Sequence, residues 1–128
     1  MPAHQLYFHL TWSTLDRRPM IDAPTRDFLN EFFRRTVIRE GAELILAEIL
    51  RTHVHVVIRT PPRFDLGRLL QLLKGGSSHT VNRLPGNVLG LRWTRRYSVT
   101  TVSPRALPGV AAYLKDQGTK HPGEGIPP

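Results

Sequence analysis

The chain has 128 residues, 40% of them hydrophobic, which fits one compact domain, and 18 basic against 10 acidic residues give a formal net charge of +8. It has no cysteine, which excludes disulfides, thiolate zinc sites and cysteine nucleophiles, so a bound metal must use histidine, carboxylate or amide ligands. The charge favours a polyanionic partner, nucleic acid ahead of an anionic membrane, with a merely solvated basic surface as the alternative.

The first third of the chain predicts a strand followed by a helix. Apolar and polar residues alternate from Gln5 to Trp12, as in a strand with one buried face. A predicted loop with the basic pair Arg17 and Arg18 follows. Apolar residues then recur at helical spacing from Thr25 to Glu40, and Gly41 is placed to end this helix.

The middle of the chain predicts two strands and a second helix. Glu43 to Leu50 and Thr52 to Arg59 have the composition of strands, and their short connection favours an antiparallel hairpin. Asp65 is a candidate N-cap for a leucine-rich helix, which Gly75 and Gly76 are expected to end. The turn at these glycines could present backbone amides to a phosphate, or it could be only a helix stop.

The last third predicts a short helix, a strand, a final helix and a tail. The helices cover about His79 to Leu84 and about Leu107 to Gln117, the strand covers Tyr97 to Val102, and residues 118–128 form a tail rich in Gly and Pro that we expect to be mobile. The order β-α-β-β-α-β-α predicts a single α+β domain over residues 1–128. We expect a ferredoxin-like antiparallel sheet with helices packed mainly on one face.

Two histidines, a tyrosine and a glutamine carry the candidate chemistry. His53 and His55 alternate along a predicted strand, so both side chains leave the same face, and Tyr113 lies one helical turn before Gln117. Imidazoles and an amide oxygen can share a magnesium or manganese ion, which would activate a phosphate for attack by the otherwise weakly nucleophilic phenol. A structural histidine pair and a tyrosine that packs on the core are the alternatives.

The position of the tyrosine on its predicted helix bears on that choice. Apolar residues form a stripe along this helix, and Tyr113 and Gln117 fall on the flank of the stripe. The stripe consists of Leu107, Val110, Ala111 and Leu114.

Several segments resemble, in their order along the chain, a known family. They are Tyr7 to Trp12 with Arg17-Arg18-Pro19, His53-Val54-His55, Leu73 to Ser78, Trp93 to Val99 and Tyr113 to Gln117. From about residue 5 to residue 117 the chain thereby resembles the HUH single-tyrosine transposases of bacterial insertion sequences, the IS200-like and REP-associated group. The ordered combination is far more specific than any of its parts.

The resemblance implies a metal-dependent enzyme that cuts and rejoins single-stranded DNA at hairpin-flanked ends. In such an enzyme Tyr113 would be the nucleophile, forming a 5′-phosphotyrosine link and releasing a 3′-hydroxyl. His53, His55 and Gln117 would be the ligands of Mg²⁺ or Mn²⁺. The family also implies a homodimer in which the tyrosine helix of one protomer completes the histidine site of the other.

Two positions depart from the family pattern. Thr52 stands where an acidic residue commonly precedes the first histidine, which predicts that a contact behind the metal ligands is missing. Arg96 stands where a glycine is usual. The basic residues that we predict to contact DNA phosphates are Arg17, Arg18, Lys74, Arg92, Arg95 and Arg96.

Two other functions remain open at this stage. One is a domesticated relative that binds hairpin DNA or structured RNA without cutting it, and the other is an RNA-recognition sheet, although the aromatic pattern of such sheets is not visible. His9-Leu10-Thr11 resembles half of a two-histidine phosphoesterase signature, but no second copy exists. The first residues lack the features of a signal peptide and the longest apolar stretch is too short to span a bilayer, so a cytoplasmic protein without a membrane partner is expected.

Overall fold

The protein is described by a computed structural model at residues 6–85, 90–116 and 126. Four strands form one antiparallel sheet in the order β2-β3-β1-β4, so β1 and β3 are central. The strands are β1 Leu6–Ser13, β2 Glu43–Ile49, β3 His53–Thr60 and β4 Ser98–Val102. This arrangement confirms the expected α+β fold with an antiparallel ferredoxin-like sheet.

The helices surround this sheet in chain order. They are α1 Ala23–Arg39, α2 Leu66–Gln71, a π-helical turn Leu72–Gly76, α3 Ser77–Val81 and α4 Leu107–Lys115. None of the helices in the described ranges is long and apolar enough to cross a bilayer.

Helix α1 begins two residues before the position predicted from its periodicity. The side chain of Asp22 accepts a hydrogen bond of 2.9 Å from the backbone N–H of Thr25, which satisfies one of the free donors of the first turn. The helix ends as predicted near Gly41, whose φ of +90° lies in the left-handed region that glycine adopts without strain.

The predicted helix stop at Gly75 and Gly76 is wrong. The chain continues from α2 through the π-helical turn into α3, so no phosphate-binding turn forms there. The Ser77 hydroxyl donates a hydrogen bond of 3.0 Å to the carbonyl of Lys74 within this turn. A Cβ on Gly76 would lie 3.0 Å from Cζ of Phe32 on α1, so the glycine serves a close approach between helices rather than a break.

The two faces of the sheet have different neighbours. One face packs against α1, α2 and α3 around a core that includes Leu10, Trp12, Leu29, Phe33, Val54, Val56, Ile58, Leu69 and Leu73. Because strand side chains alternate, the other face carries the histidines of β1 and β3. The candidate chemistry therefore lies on the face turned away from the main core.

Candidate active site

His53 and His55 come together on β3 as the sequence predicts. Their ring centroids are 5.0 Å apart and the rings are nearly perpendicular. The hydroxyl oxygen of Thr52 lies 3.1 Å from Nδ1 of His53. The expectation that a contact is missing behind the first histidine is therefore wrong, because the threonine hydroxyl supplies one in place of a carboxylate.

A third histidine joins the pair from the neighbouring strand. The register of β1 and β3 places Thr11 directly opposite His55 and His9 opposite Val57. Nε2 of His9 lies 3.0 Å from Nδ1 of His55, and the Thr11 hydroxyl oxygen lies 3.2 Å from both of these nitrogens. Alternation alone puts His9 and Thr11 on one face of a strand, but their partner depends on a pairing register that one sequence does not reveal.

The electrostatics of the site favour neutral imidazoles. Burial lowers the pKa of His55 to about 4, and the neighbouring His53 and His9 contribute further to this shift. Burial also lowers the pKa of His9. Both rings are therefore neutral at pH 7, and a neutral imidazole is the form that binds metal ions.

The metal predicted for this site can be tested against the donor atoms present. Nε2 of His55 is buried and has no hydrogen-bond partner in the described part of the chain. An unpaired buried nitrogen of this kind fits a metal ligand, because a cation would satisfy its lone pair. Within the described ranges no group of three or more His, Asp or Glu residues is arranged to hold a cation. Gln117, the predicted third ligand, lies outside the described residues.

Helix α4 lies on the same face of the sheet as the histidines. Glu48 on β2 is directly opposite His55, and burial raises the pKa of Glu48 while the charge of Lys115 on α4 lowers it. Leu114 anchors the helix and is fully buried, whereas Tyr113 is 50% exposed. The end of α4 therefore approaches the sheet beside His55, with the phenol accessible to solvent.

Lys74, one of the predicted DNA contacts, is engaged with the protein itself. Its ammonium donates hydrogen bonds of 3.2 and 3.3 Å to the carbonyls of Arg95 and Arg96, and it lies 5.5 Å from the ring centroid of Tyr97. Burial lowers its pKa. Lys74 thus holds the segment that precedes β4, while the side chains of Arg95 and Arg96 remain exposed.

The predicted basic residues of two further segments lie next to each other. The turn after β1 forms a short 3-10 helix, Leu15–Arg17, in which Asp16 and Arg17 have left-handed φ values of 56° and 53°. The backbone N–H of Leu15 donates a hydrogen bond of 2.8 Å to the carbonyl of Arg92. Arg17, Arg18 and Arg92 are exposed, so three cationic side chains extend from neighbouring backbone segments.

These basic segments adjoin the histidine end of the sheet. Ser13, which lies opposite His53 in the sheet, accepts a hydrogen bond of 3.0 Å from the backbone N–H of Thr94. Residues 92–94 therefore pair with the end of β1 close to the first histidine.

Comparison with known proteins identifies the family. The family model described as "Transposase IS200 like" matches residues 2–117. This chain is an IS200-like transposase. It is 26% identical over 125 residues to the ISDra2 transposase TnpA of Deinococcus radiodurans, covering 91% of this chain and 87% of that protein. The family indicated by the sequence motifs is thereby confirmed.

Two solved structures share the fold of this IS200-like transposase. A candidate transposase from Deinococcus radiodurans R1 superimposes with a TM-score of 0.68 at 24% identity, covering 91% of this chain and 93% of the other. A REP-associated tyrosine transposase bound to a REP hairpin gives a TM-score of 0.73 at 14% identity, covering 94% and 73%. The roles of Tyr113, His53 and His55 in this IS200-like transposase stay predictions.

Proposed function

We propose that this transposase is a metal-dependent endonuclease and strand transferase for single-stranded DNA, with Tyr113 as its nucleophile. The observation that carries the proposal is the neutral histidine pair, with the unpaired buried Nε2 of His55 on the sheet face that α4 shares. His53 and His55 would hold Mg²⁺ or Mn²⁺, with Gln117 as the third ligand. When bound, the cation supplies polarisation of the scissile phosphate and charge stabilisation of the leaving oxygen.

The proposed reaction exchanges one phosphate ester for another. The phenol oxygen of Tyr113 forms a bond to phosphorus and loses its proton, and the bond from phosphorus to the 3′-oxygen breaks. The departing 3′-oxygen takes up a proton, so the products are a 5′-phosphotyrosine and a free 3′-hydroxyl. Attack of another 3′-hydroxyl on the phosphotyrosine reverses these steps and joins the strands.

The proposed partner is single-stranded DNA that folds into a hairpin. The net charge of +8 and the exposed arginines beside the histidine end of the sheet support a polyanionic ligand. The solved REP-associated tyrosine transposase of the same fold is bound to a hairpin. We further propose a homodimer with active sites shared between protomers, and action on DNA in the cytoplasm, as the family resemblance implies.

Arg92 has a second feature that suits a DNA contact. It lines, together with Arg83, Asn82 and Trp93, an open groove of about 530 Å³ between α3 and the segment paired with β1. Two guanidinium groups at the sides of one groove suit the phosphates of a bound strand.

The decisive experiment is a search for a covalent adduct. End-labelled foldback oligonucleotides are incubated with the protein and Mn²⁺ and then separated on a denaturing gel. We expect a protein-linked band that EDTA and Tyr113→Phe both abolish. Tyr97→Phe is the matched control, because Tyr97 is similarly exposed at 55% and keeps its ring next to Lys74.

Two results of this experiment would contradict the proposal. Adduct formation by Tyr113→Phe at the parental rate would remove Tyr113 from the nucleophile role. Salt-sensitive binding of hairpins with no adduct in any divalent cation would instead support the non-cleaving, domesticated relative.

The DNA contacts are tested by the salt dependence of hairpin binding. If Arg92 neutralises a phosphate, Arg92→Gln reduces the slope of log affinity against log salt by about 1. Arg35→Gln is the control, because Arg35 lies on α1 and pairs with Glu31. Equal slopes for the parent and Arg92→Gln would exclude a phosphate contact at Arg92.

A further inference from the structure

Three side chains from β1 and β3 form a closed triangle of polar atoms behind one of the proposed metal ligands. Its corners are Nε2 of His9, the Thr11 hydroxyl oxygen and Nδ1 of His55, with separations of 3.0, 3.2 and 3.2 Å. All three side chains lie on the same face of the two central strands. The triangle therefore contacts His55 through Nδ1 and leaves Nε2 as its other ring nitrogen.

Two arrangements of hydrogens satisfy this triangle. In the first, Nδ1–H of His55 donates toward Thr11 and His9, and the threonine hydroxyl donates to the lone pair on Nε2 of His9. In the second, the direction is reversed, Nδ1 of His55 becomes the acceptor, and the hydrogen of His55 moves to Nε2.

The surroundings of the other ring nitrogen distinguish the two arrangements. Nε2 of His55 is buried with no hydrogen-bond partner in the described ranges. The second arrangement would bury an N–H donor at that atom with nothing to accept it. The first arrangement places a lone pair there, which a cation can satisfy.

We infer that His9 is a positioning residue that, together with Thr11, holds His55 in the tautomer with hydrogen on Nδ1 and directs the Nε2 lone pair toward a divalent cation. The part of this inference that concerns the cation rests on the function proposed above, whereas the tautomer is a property of the metal-free protein. Thr52 contacts Nδ1 of His53 in a similar way, so both histidines are engaged through the same ring atom. Such outer contacts fix the orientation of an imidazole and raise its basicity as a ligand.

The tautomer is measured directly by long-range ¹⁵N–¹H correlation NMR of the metal-free protein in EDTA at neutral pH. In the parent we expect Nδ1 of His55 to have the shift of a protonated nitrogen and Nε2 that of a bare one. In His9→Leu we expect this preference to be lost, and in His9→Gln to be kept, because the glutamine amide oxygen can accept from Nδ1–H. A parent protein with the hydrogen on Nε2 would overturn the inference without the need for any variant.

Metal affinity is then measured by the electron paramagnetic resonance signal of free Mn²⁺. We expect His9→Leu to weaken binding by about 10- to 100-fold, and His9→Gln to restore much of the loss. His79→Leu is the control, since His79 is an exposed histidine on α3 outside the triangle. Binding by His9→Leu equal to that of the parent would overturn the positioning role.

A further variant separates failure of this inference from failure of the proposed function. If His55→Gln binds Mn²⁺ as tightly as the parent, the proposed metal site itself is wrong. If His55→Gln loses binding while His9→Leu keeps it, the metal site stands and His9 has no positioning role.

Discussion

Acidification should destabilise the metal-free protein through His55. The pKa of this ring falls from 6.5 to about 4 on folding, so between these values the unfolded chain binds a proton that the folded chain does not. Stability is therefore unaffected by His55 above pH 6.5, declines as the pH falls below it, and reaches a floor below about pH 4. A tenfold change in a proton-binding constant corresponds to about 1.4 kcal/mol, which sets a ceiling of about 2 kcal/mol for the loss at pH 5.

Solvent reduces this ceiling, because part of the His55 ring remains exposed. Screening by water leaves an expected loss of about 1 kcal/mol between pH 7.5 and pH 5. Burial lowers the pKa of His9 as well, so some acid sensitivity should persist after His55 is removed.

The assay is urea unfolding in EDTA at a series of pH values, followed by circular dichroism. The parent and His79→Gln should lose about 1 kcal/mol more on acidification than His55→Gln does, because only the last variant lacks the buried ring. If the parent and His55→Gln lose equal stability, the ring does not resist protonation and the argument for a neutral metal ligand fails.

Two further predictions concern the helices and are checked by the same unfolding measurement. Gly75→Ala adds a methyl group into open space within a helical segment and should stabilise the protein by up to about 1 kcal/mol, whereas Gly76→Ala should lose most or all of that gain, because its Cβ meets Phe32 at 3.0 Å. Equal gains for the two variants would refute a tight contact between the helices. Asp22→Ala should cost about 1 kcal/mol through loss of the cap on α1, and an unchanged midpoint would show that the cap contributes nothing.

Local sequence patterns are sufficient for most of the fold. Alternation on β1 and β3 predicts the central strands and places His53 and His55 on one face, and the apolar stripe of α4 correctly leaves Tyr113 exposed. Strand alternation succeeds because burial of one face is a property of the strand itself. Whether residue 117 continues the pattern of α4 lies outside the described residues.

The failures have a common physical cause in contacts between distant segments. The glycine pair has the local pattern of a break, but its role depends on Phe32 of α1, which lies more than forty positions earlier in the chain. The role of His9 has no local signal, because its partner His55 is set by the register of β1 against β3. Thr52 lacks the carboxylate of the family pattern, yet its hydroxyl reaches the ring of the next residue. Pairing register and helix contacts are determined by the whole fold and are not contained in a local pattern.

The placement of the histidine network on the two innermost strands has a consequence for how the enzyme tolerates change. Interior strands exchange their amide hydrogens slowly and resist local opening, whereas a helix near the end of the chain, held by the buried Leu114, can detach at a lower free energy. Substitutions that loosen α4 should therefore slow turnover while cation affinity is preserved. The two halves of the proposed site can in this way accumulate mutations independently of each other.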